Sequence, residues 1–158
     1  MLRKIISGGQ TGVDRGALDA ALDAGFPCGG SCPKGRKAED GPIPARYPLA
    51  EMPTAEYRPR TRQNVVDADG TLILFWRELT GGTRETMLIA QELGKPVLTV
   101  DLAAKPAEIA AVEAAAFVEL NSIATLNVAG PRESTHAGAA AAARAVVSEV
   151  VRRAATSA

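Results

Sequence analysis

A chain of 158 residues, 46% hydrophobic and 23% charged, is long enough to bury roughly 70% of its unfolded surface without disulfides or a structural metal. Lys plus Arg and Asp plus Glu number 18 each, so the global charge favours neither nucleic acid nor an acidic membrane, and 4% aromatic content argues against single-strand stacking. No apolar run approaches the ~20 residues of a membrane span, and the N-terminus enters a strand at once rather than a signal peptide, so a cytoplasmic protein is expected.

Leu2 to Ile6 reads as a short buried strand. From Thr11 the spacing turns helical, with Val13, Ala17, Leu18, Ala21 and Leu22 on one face and Gly25 as the stop. The turn between them, Ser7-Gly8-Gly9-Gln10-Thr11-Gly12-Val13-Asp14-Arg15, is rich in glycine and small hydroxylated residues. A strand that turns through glycines into a helix leaves backbone N–H groups at a positive dipole end, which suits a phosphate or another oxyanion. The spacing is neither G-x-G-x-x-G nor a P-loop, and a glycine turn without ligand is the alternative.

Phe26 to Gly30 reads as a second short strand. Cys28 and Cys32 follow the spacing C-G-G-S-C, which is neither a redox C-x-x-C pair nor a closed zinc site, so reduced thiols near a strand end are expected. From about 33 to 59 the chain changes character: Pro33, Pro42, Pro44, Pro48, Pro53 and Pro59 break it, and Ile43, Tyr47, Leu49, Met52 and Tyr57 pin it down. Leu49 to Met52 can add a short edge strand. This segment is locally basic, with Lys34, Arg36, Lys37, Arg46 and Arg58 in it and Arg60 and Arg62 just beyond. It is either a solvated loop or a cover that lays cations beside the glycine turn.

A short helix is expected over Thr61–Asp69, then a strand over Thr71–Trp76 whose continuous apolar character suggests burial on both faces. Thr80-Gly81-Gly82-Thr83 opens a helix through Met87, Leu88, Ala90 and Leu93, the second strand, glycine pair, helix unit in the chain. Pro96–Val100 forms a strand, Lys105–Val118 a helix, and Leu126–Ala129 a last strand. The loop Gly130-Pro131-Arg132-Glu133-Ser134 then leads to a helix from about Ala137 to Arg153. Alternating strands and helices argue for an α/β fold, a single three-layer Rossmann-like domain over 1–158 with a doubly wound, mainly parallel sheet. Ligands on such sheets bind beyond the C-terminal strand ends where strand order reverses. If the first strand and Thr71–Trp76 are neighbours there, the Ser7–Arg15 and Thr80–Thr83 loops face each other and Pro131–Ser134 closes one side.

Three stretches carry a family resemblance: S-G-G-Q-T-G-V-D-R-G-A-L-D-A-A at 7–21, C-P-K-G-R-K-A-E-D-G-P-I-P at 32–44 and N-V-A-G-P-R-E-S at 127–134. Together with T-L-I-L and T-G-G-T they resemble the molybdenum-cofactor carrier family, over residues 4 to 134. That resemblance implies a Rossmann-like fold related to the lysine-decarboxylase-like and cytokinin-activating (LOG) proteins. It implies molybdenum cofactor (molybdopterin) as cargo, a pterin with one phosphate and a dithiolene-held oxo-molybdenum, and assembly as a homo-oligomer, dimer or tetramer. A molybdoenzyme or a cofactor-synthesis enzyme would be the partner, with neither nucleic acid nor membrane involved. A nucleotide or simple oxyanion is the other ligand class.

The residues agree in kind. Phosphate fits the N–H groups at Gly9–Gly12 or Gly82–Thr83, with hydroxyls from Ser7, Thr11 and Thr83 and the neighbouring Gly8, Gln10 and Gly81. Arg15, Lys34, Arg36 and Arg132 can balance negative charge, with Ser134 beside the last. Asn64 and Asn127 can donate and accept at a heterocycle edge. Asp14 at a helix N-terminus is favourable without any ligand.

LOG-type relatives hydrolyse nucleoside 5′-monophosphates with P-G-G-x-G-T-x-x-E. Aligning Thr83 with that threonine puts Thr86 where the catalytic glutamate belongs and leaves Glu85 one position early, about 100° round the helix. The only histidine, His136, reads as exposed or capping. No nucleophilic triad and no metal-ligand cluster is evident, so the expectation is binding without catalysis. A LOG-like N-glycosidase or a nucleotide-sensing module is the alternative.

Overall fold

The computed structural model describes residues 1–157. In chain order these form β1 (Lys4–Ile6), α1 (Val13–Asp23), β2 (Cys28–Gly29), β3 (Ser31–Cys32), a 3-10 turn (Lys34–Arg36), β4 (Lys37–Ala38), β5 (Gly41–Pro42) and β6 (Ala50–Glu51). There follow α2 (Tyr57–Asp67), β7 (Gly70–Phe75), α3 (Gly81–Glu92), β8 (Val97–Asp101), α4 (Ala107–Leu120), β9 (Thr125–Ala129) and α5 (Ala139–Thr156). None of these helices is long and apolar enough to cross a membrane.

Five strands make one parallel sheet in the order β2-β1-β9-β7-β8. Helices α1, α4 and α5 pack together on one face, and α2 with α3 on the other. The period of two along each strand divides the side chains: Ile5, Leu72, Leu74, Leu126 and Val128 join the α1/α4/α5 core, while Thr71, Ile73 and Asn127 turn to the other side. The fold is α/β and Rossmann-like, as expected.

One expectation about its centre is corrected. The first strand and the Thr71–Phe75 strand are not neighbours, because β9 lies hydrogen-bonded between them, pairing Ile5 with Leu126 on one side and Leu72 with Val128 on the other. Leu126 and Val128 are fully buried, so the last strand in sequence is the middle strand in space. Moving β9 ahead of β1 would turn the spatial order into the 3-2-1-4-5 pattern of a doubly wound half-fold, with its reversal between β9 and β7.

Helix α2 begins at Tyr57, earlier than the spacing suggests. Pro59 is its third residue, and a proline in the first turn removes an N–H that has no helical partner anyway. Arg58 and Arg60 therefore project from the start of a helix rather than from a loop. The proline-rich segment before it is held by Arg36, whose guanidinium donates to the carbonyls of Ile43 (2.9 Å), Pro44 (2.8 Å) and Tyr47 (2.9 Å). Its own small core of Cys32, Ala38, Ile43 and Tyr47 packs on Leu18 of α1, and β6 pairs in parallel with β3.

The α1–α5 contact is backbone-close at Gly16, where an added Cβ would stand 2.2 Å from the Ala140 carbonyl oxygen. Alanine gains up to about 1 kcal/mol over glycine inside a helix, but prising apart a packed helix pair costs about 1–3 kcal/mol. Gly16→Ala is expected to lower the urea midpoint, and an unchanged or raised midpoint would show that the pair yields without cost.

Candidate functional site

Beyond the C-terminal ends of β9 and β7 the surface sinks into a crevice of about 500 Å³. The Ser7–Arg15 loop contributes Gly8, Gln10 and Asp14 to its wall, α3 contributes Thr80–Thr83, Glu85 and Thr86, β9 and its loop contribute Asn127–Arg132, Ser134 and Thr135, and α2 contributes Tyr57, Arg58, Arg60, Thr61 and Asn64. The two glycine-bearing helix starts do not play equal parts. At α1 the Val13 N–H donates to the Pro131 carbonyl at 3.2 Å. Gly12, at φ +83, lies so close under the third loop that a Cβ there would be 2.4 Å from the Pro131 oxygen. The third loop thus seals the start of α1. At α3 no side chain caps the first turn, and Gly81 and Gly82 border open space.

Gln10 is almost fully buried and its amide orientation is fixed by its neighbours. Its Oε1 accepts the N–H groups of Thr11 (3.1 Å) and Glu39 (2.9 Å), so Nε2 is the group left over. That Nε2 has no partner among the described residues, although a buried donor without one costs about 1–3 kcal/mol.

Cations gather on the other side. Arg60 is buried, donates from Nη1 to the Gly8 carbonyl at 2.7 Å, and fills the space where a Gly8 Cβ would lie, only 2.5 Å from that nitrogen. The Tyr57 ring is flanked by Lys37 at 4.7 Å, Arg132 at 5.1 Å and Arg60 at 5.4 Å from its centroid. Glu39 ties the proline-rich segment across to the third loop. It bonds to the Ser134 and Thr11 hydroxyls, which in that order hold its carboxyl below the usual range, and lies 3.9 Å from Arg132.

Of the residues singled out in the sequence, the structure brings Gly8, Gln10, Asn64, Gly81, Gly82, Thr83, Asn127, Arg132 and Ser134 to the crevice. Ser7, Gly9, Thr11, Gly12, Arg15, Lys34 and Arg36 lie off its lining, each for a visible reason. The Ser7 hydroxyl donates to the Val128 carbonyl at 2.6 Å, locking β1 to β9. Gly9 is covered by Leu49 and Ile43, Thr11 bonds to Glu39, and Gly12 is sealed by the third loop. Arg15 donates to the Gly9 carbonyl and forms a two-pronged pair with Asp40 at 2.6 and 2.7 Å. Lys34 is exposed, and Arg36 is spent on loop carbonyls. Asn64, though on the lining, exchanges both polar groups with the Ser31 backbone, at 2.8 and 3.0 Å, and so docks α2 to β3.

Sequence reasoning missed Tyr57 as a wall residue and named Arg58 and Arg60 only among the cations of a possible cover, because the helix carrying them was placed four residues late. Glu85 and Thr86 both line the crevice, since it wraps around the start of α3. The Thr86 hydroxyl donates back to the Gly82 carbonyl at 2.9 Å, and Glu85 pairs with Arg58 at 2.7 Å. His136 neither caps a helix by its side chain nor stands free; its ring stacks on Trp76 with centroids 4.0 Å apart. Both thiols are raised by burial, and neither lines the crevice.

Asp14 is the one buried carboxylate at the site. Burial pushes its pKa up from 3.8, opposed chiefly by Arg60 and by the Gln10 N–H that donates to it at 3.2 Å. A carboxyl raised by folding adds stability below its unfolded pKa and loses that contribution as pH rises through the folded value. Asp14→Asn is therefore expected to gain stability over the wild type as pH climbs from below 3.8 towards neutrality, read by urea titrations across that range. A difference that stays constant with pH would rule out a raised Asp14.

No curated protein matches the chain. A crystal structure of a protein from Syntrophus aciditrophicus SB, named "Putative molybdenum carrier protein", is 43% identical, superposes with a TM-score of 0.92, and covers 95% of each chain. The family described as circularly permutated YpsA SLOG matches residues 5–151. The strand order is consistent with such a permutation: β9 is the last strand in sequence yet occupies the position of a first strand. The chain belongs to the circularly permutated YpsA SLOG family.

Proposed function

We propose that this protein binds and carries a phosphorylated heterocycle, with molybdenum cofactor as the cargo. The observation that supports it most is the open first turn of α3 sharing one crevice with Arg60, Arg132 and Gln10, whose buried Nε2 has no partner among the described residues. Free N–H groups at a helix start, a buried guanidinium and a spare amide donor together suit the phosphate of such a ligand. In this reading Gly81, Gly82 and Thr83 hold the phosphate and Arg132 and Ser134 close over it. Gly8, Gln10, Asp14 and Asn127 then offer both acceptors and donors to the edge of the ring. Ser7, Gly9, Thr11, Gly12, Arg15, Lys34 and Arg36 act behind the wall, shaping the loops that present it, and Asn64, on the lining, docks α2 beneath it. The likeness to a protein named as a molybdenum carrier supports the choice of cargo. A cytoplasmic homo-oligomer that receives its cargo from a cofactor-synthesis enzyme, or delivers it to a molybdoenzyme, completes the reading.

A second reading, hydrolysis of a nucleoside 5′-monophosphate at the N-glycosidic bond, is favoured by one observation. Glu85 stands in the crevice wall beside Arg58, so a carboxylate is present there even though Thr86 fills the position of the LOG-type glutamate. A carboxyl beside a bound sugar is the group such a reaction needs as general acid or base.

Protein purified from a host that makes molybdenum cofactor should release a pterin phosphate in near-stoichiometric amount, identified by mass spectrometry. Repeatedly empty protein that also fails to bind added cofactor would overturn the carrier reading. Arg132→Ala should weaken binding about tenfold, the low end for a charge-assisted hydrogen bond, because this side chain is 40% exposed. Incubation with AMP should release no free adenine; release that disappears in Glu85→Gln would replace the carrier by the hydrolase.

A further inference from the structure

A second cavity, of about 310 Å³, lies against the first. Thr80, Thr83, Pro131 and Thr135 line both, so the open first turn of α3 is a wall common to the two. The chain has one tryptophan and one histidine, and both are in this second cavity. Trp76 and His136 stack there, centroids 4.0 Å apart and planes within 13°, and each is only half-buried. In a chain so poor in aromatics, a stacked pair at the margin of the main core, with Trp76 packed against that core and part of each ring open beside a polar crevice, offers a π surface for a third ring.

The cavity's other residues fit the edges of such a ring. Arg77 lines it from a backbone conformation at φ +69 that side chains other than glycine rarely adopt. Its N–H is anchored there by the Asp101 carboxylate at 2.9 Å. Glu78 follows it on the lining, so a cation and a carboxylate stand beside the stacked pair. A heterocycle that both donates and accepts finds complementary partners in those two. The main crevice alone is of the size that takes a small ligand whole. The second cavity is therefore capacity for a further part of the ligand.

We infer that the two cavities form one bipartite site for a ligand with two ring systems joined through phosphate, of the dinucleotide class. The bridging phosphate lies on the first turn of α3, one ring occupies the main crevice, and the other stacks on the Trp76–His136 pair. This rests on the reading that the main crevice takes a phosphorylated heterocycle, and it specifies that ligand further.

The test uses the full chain and calorimetric titration with GMP, AMP and their phosphate-bridged counterparts, diguanosine and diadenosine diphosphate. Trp76, as the only tryptophan, reports stacking directly by its fluorescence. At least one bridged form should bind tenfold or more tighter than its mononucleotide and quench Trp76, while the mononucleotide leaves the emission unchanged. Trp76→Ala should cancel the gain, and Trp76→Phe should restore most of it. If Trp76→Ala fails to fold, the Phe variant and the wild-type emission still decide. If neither bridged form both binds tighter than its mononucleotide and quenches Trp76, or if the gain survives in Trp76→Ala, the bipartite site is overturned and the reading of the main crevice is spared. Absence of binding by every phosphorylated heterocycle, molybdenum cofactor included, overturns both.

Discussion

The passage of the third loop over Gly12 decides how the rest of the site is arranged. Because β9 is threaded between β1 and β7, the chain leaving it must cross the start of α1, and it does so at backbone contact. The Pro131 carbonyl takes the first N–H of α1, and a residue larger than glycine at position 12 would collide with the loop. One helix start is thereby closed by protein while its counterpart on α3 stays open. Two similar strand, glycine, helix units end up with different work: the first supports a wall, and the second faces the crevice.

Charge is distributed to match. Arg60 is carried into the interior by the first turn of α2 and fixed there by the Gly8 carbonyl, so a cation stands ready without needing to be recruited from solvent. Asp14 opposes it from α1, raised by burial, and Gln10 presents a donor that the protein itself leaves unused. Such features lower the stability of the free protein, and they recur where a ligand supplies the missing partner. The proline-rich segment adds its grip from outside. Arg36 gathers its carbonyls, and Glu39 links it to Thr11 and Ser134, so the Ser7–Arg15 loop is clamped on both sides.

The cover of cations expected from the basic segment forms only in part. Arg15 and Arg36 are committed to Asp40 and to loop carbonyls, and they stiffen the loops. The cations that reach the crevice, Arg58, Arg60 and Arg132, come from α2 and from the third loop. Tyr57 collects Lys37, Arg60 and Arg132 about one ring, which keeps like charges close together at the place where an anion would relieve them.

By itself the sequence determined the elements and their kind. Continuous apolar runs such as Thr71–Phe75 admit little besides buried parallel strands, Pro96–Val100 reads the same way but forms the half-exposed edge strand β8, and the glycine-rich turns before α1 and α3 mark where helices begin. Local signals carry that much because backbone preference and periodicity are properties of neighbouring residues. Strand order is not such a property: Leu126–Val128 reads as one more strand, and only the competition of three strands for the same hydrogen-bonding edges puts it in the middle. Side-chain commitments lie beyond local reach for the same reason. Asn64 and Arg36 look like ligand donors until Ser31 and the carbonyls around Tyr47 are seen to take them, and Arg60 looks like a surface cation until α2 turns it inward. The tertiary structure decided which polar groups were already satisfied, and the one it left unpartnered among the described buried side chains belongs to a residue of the crevice wall.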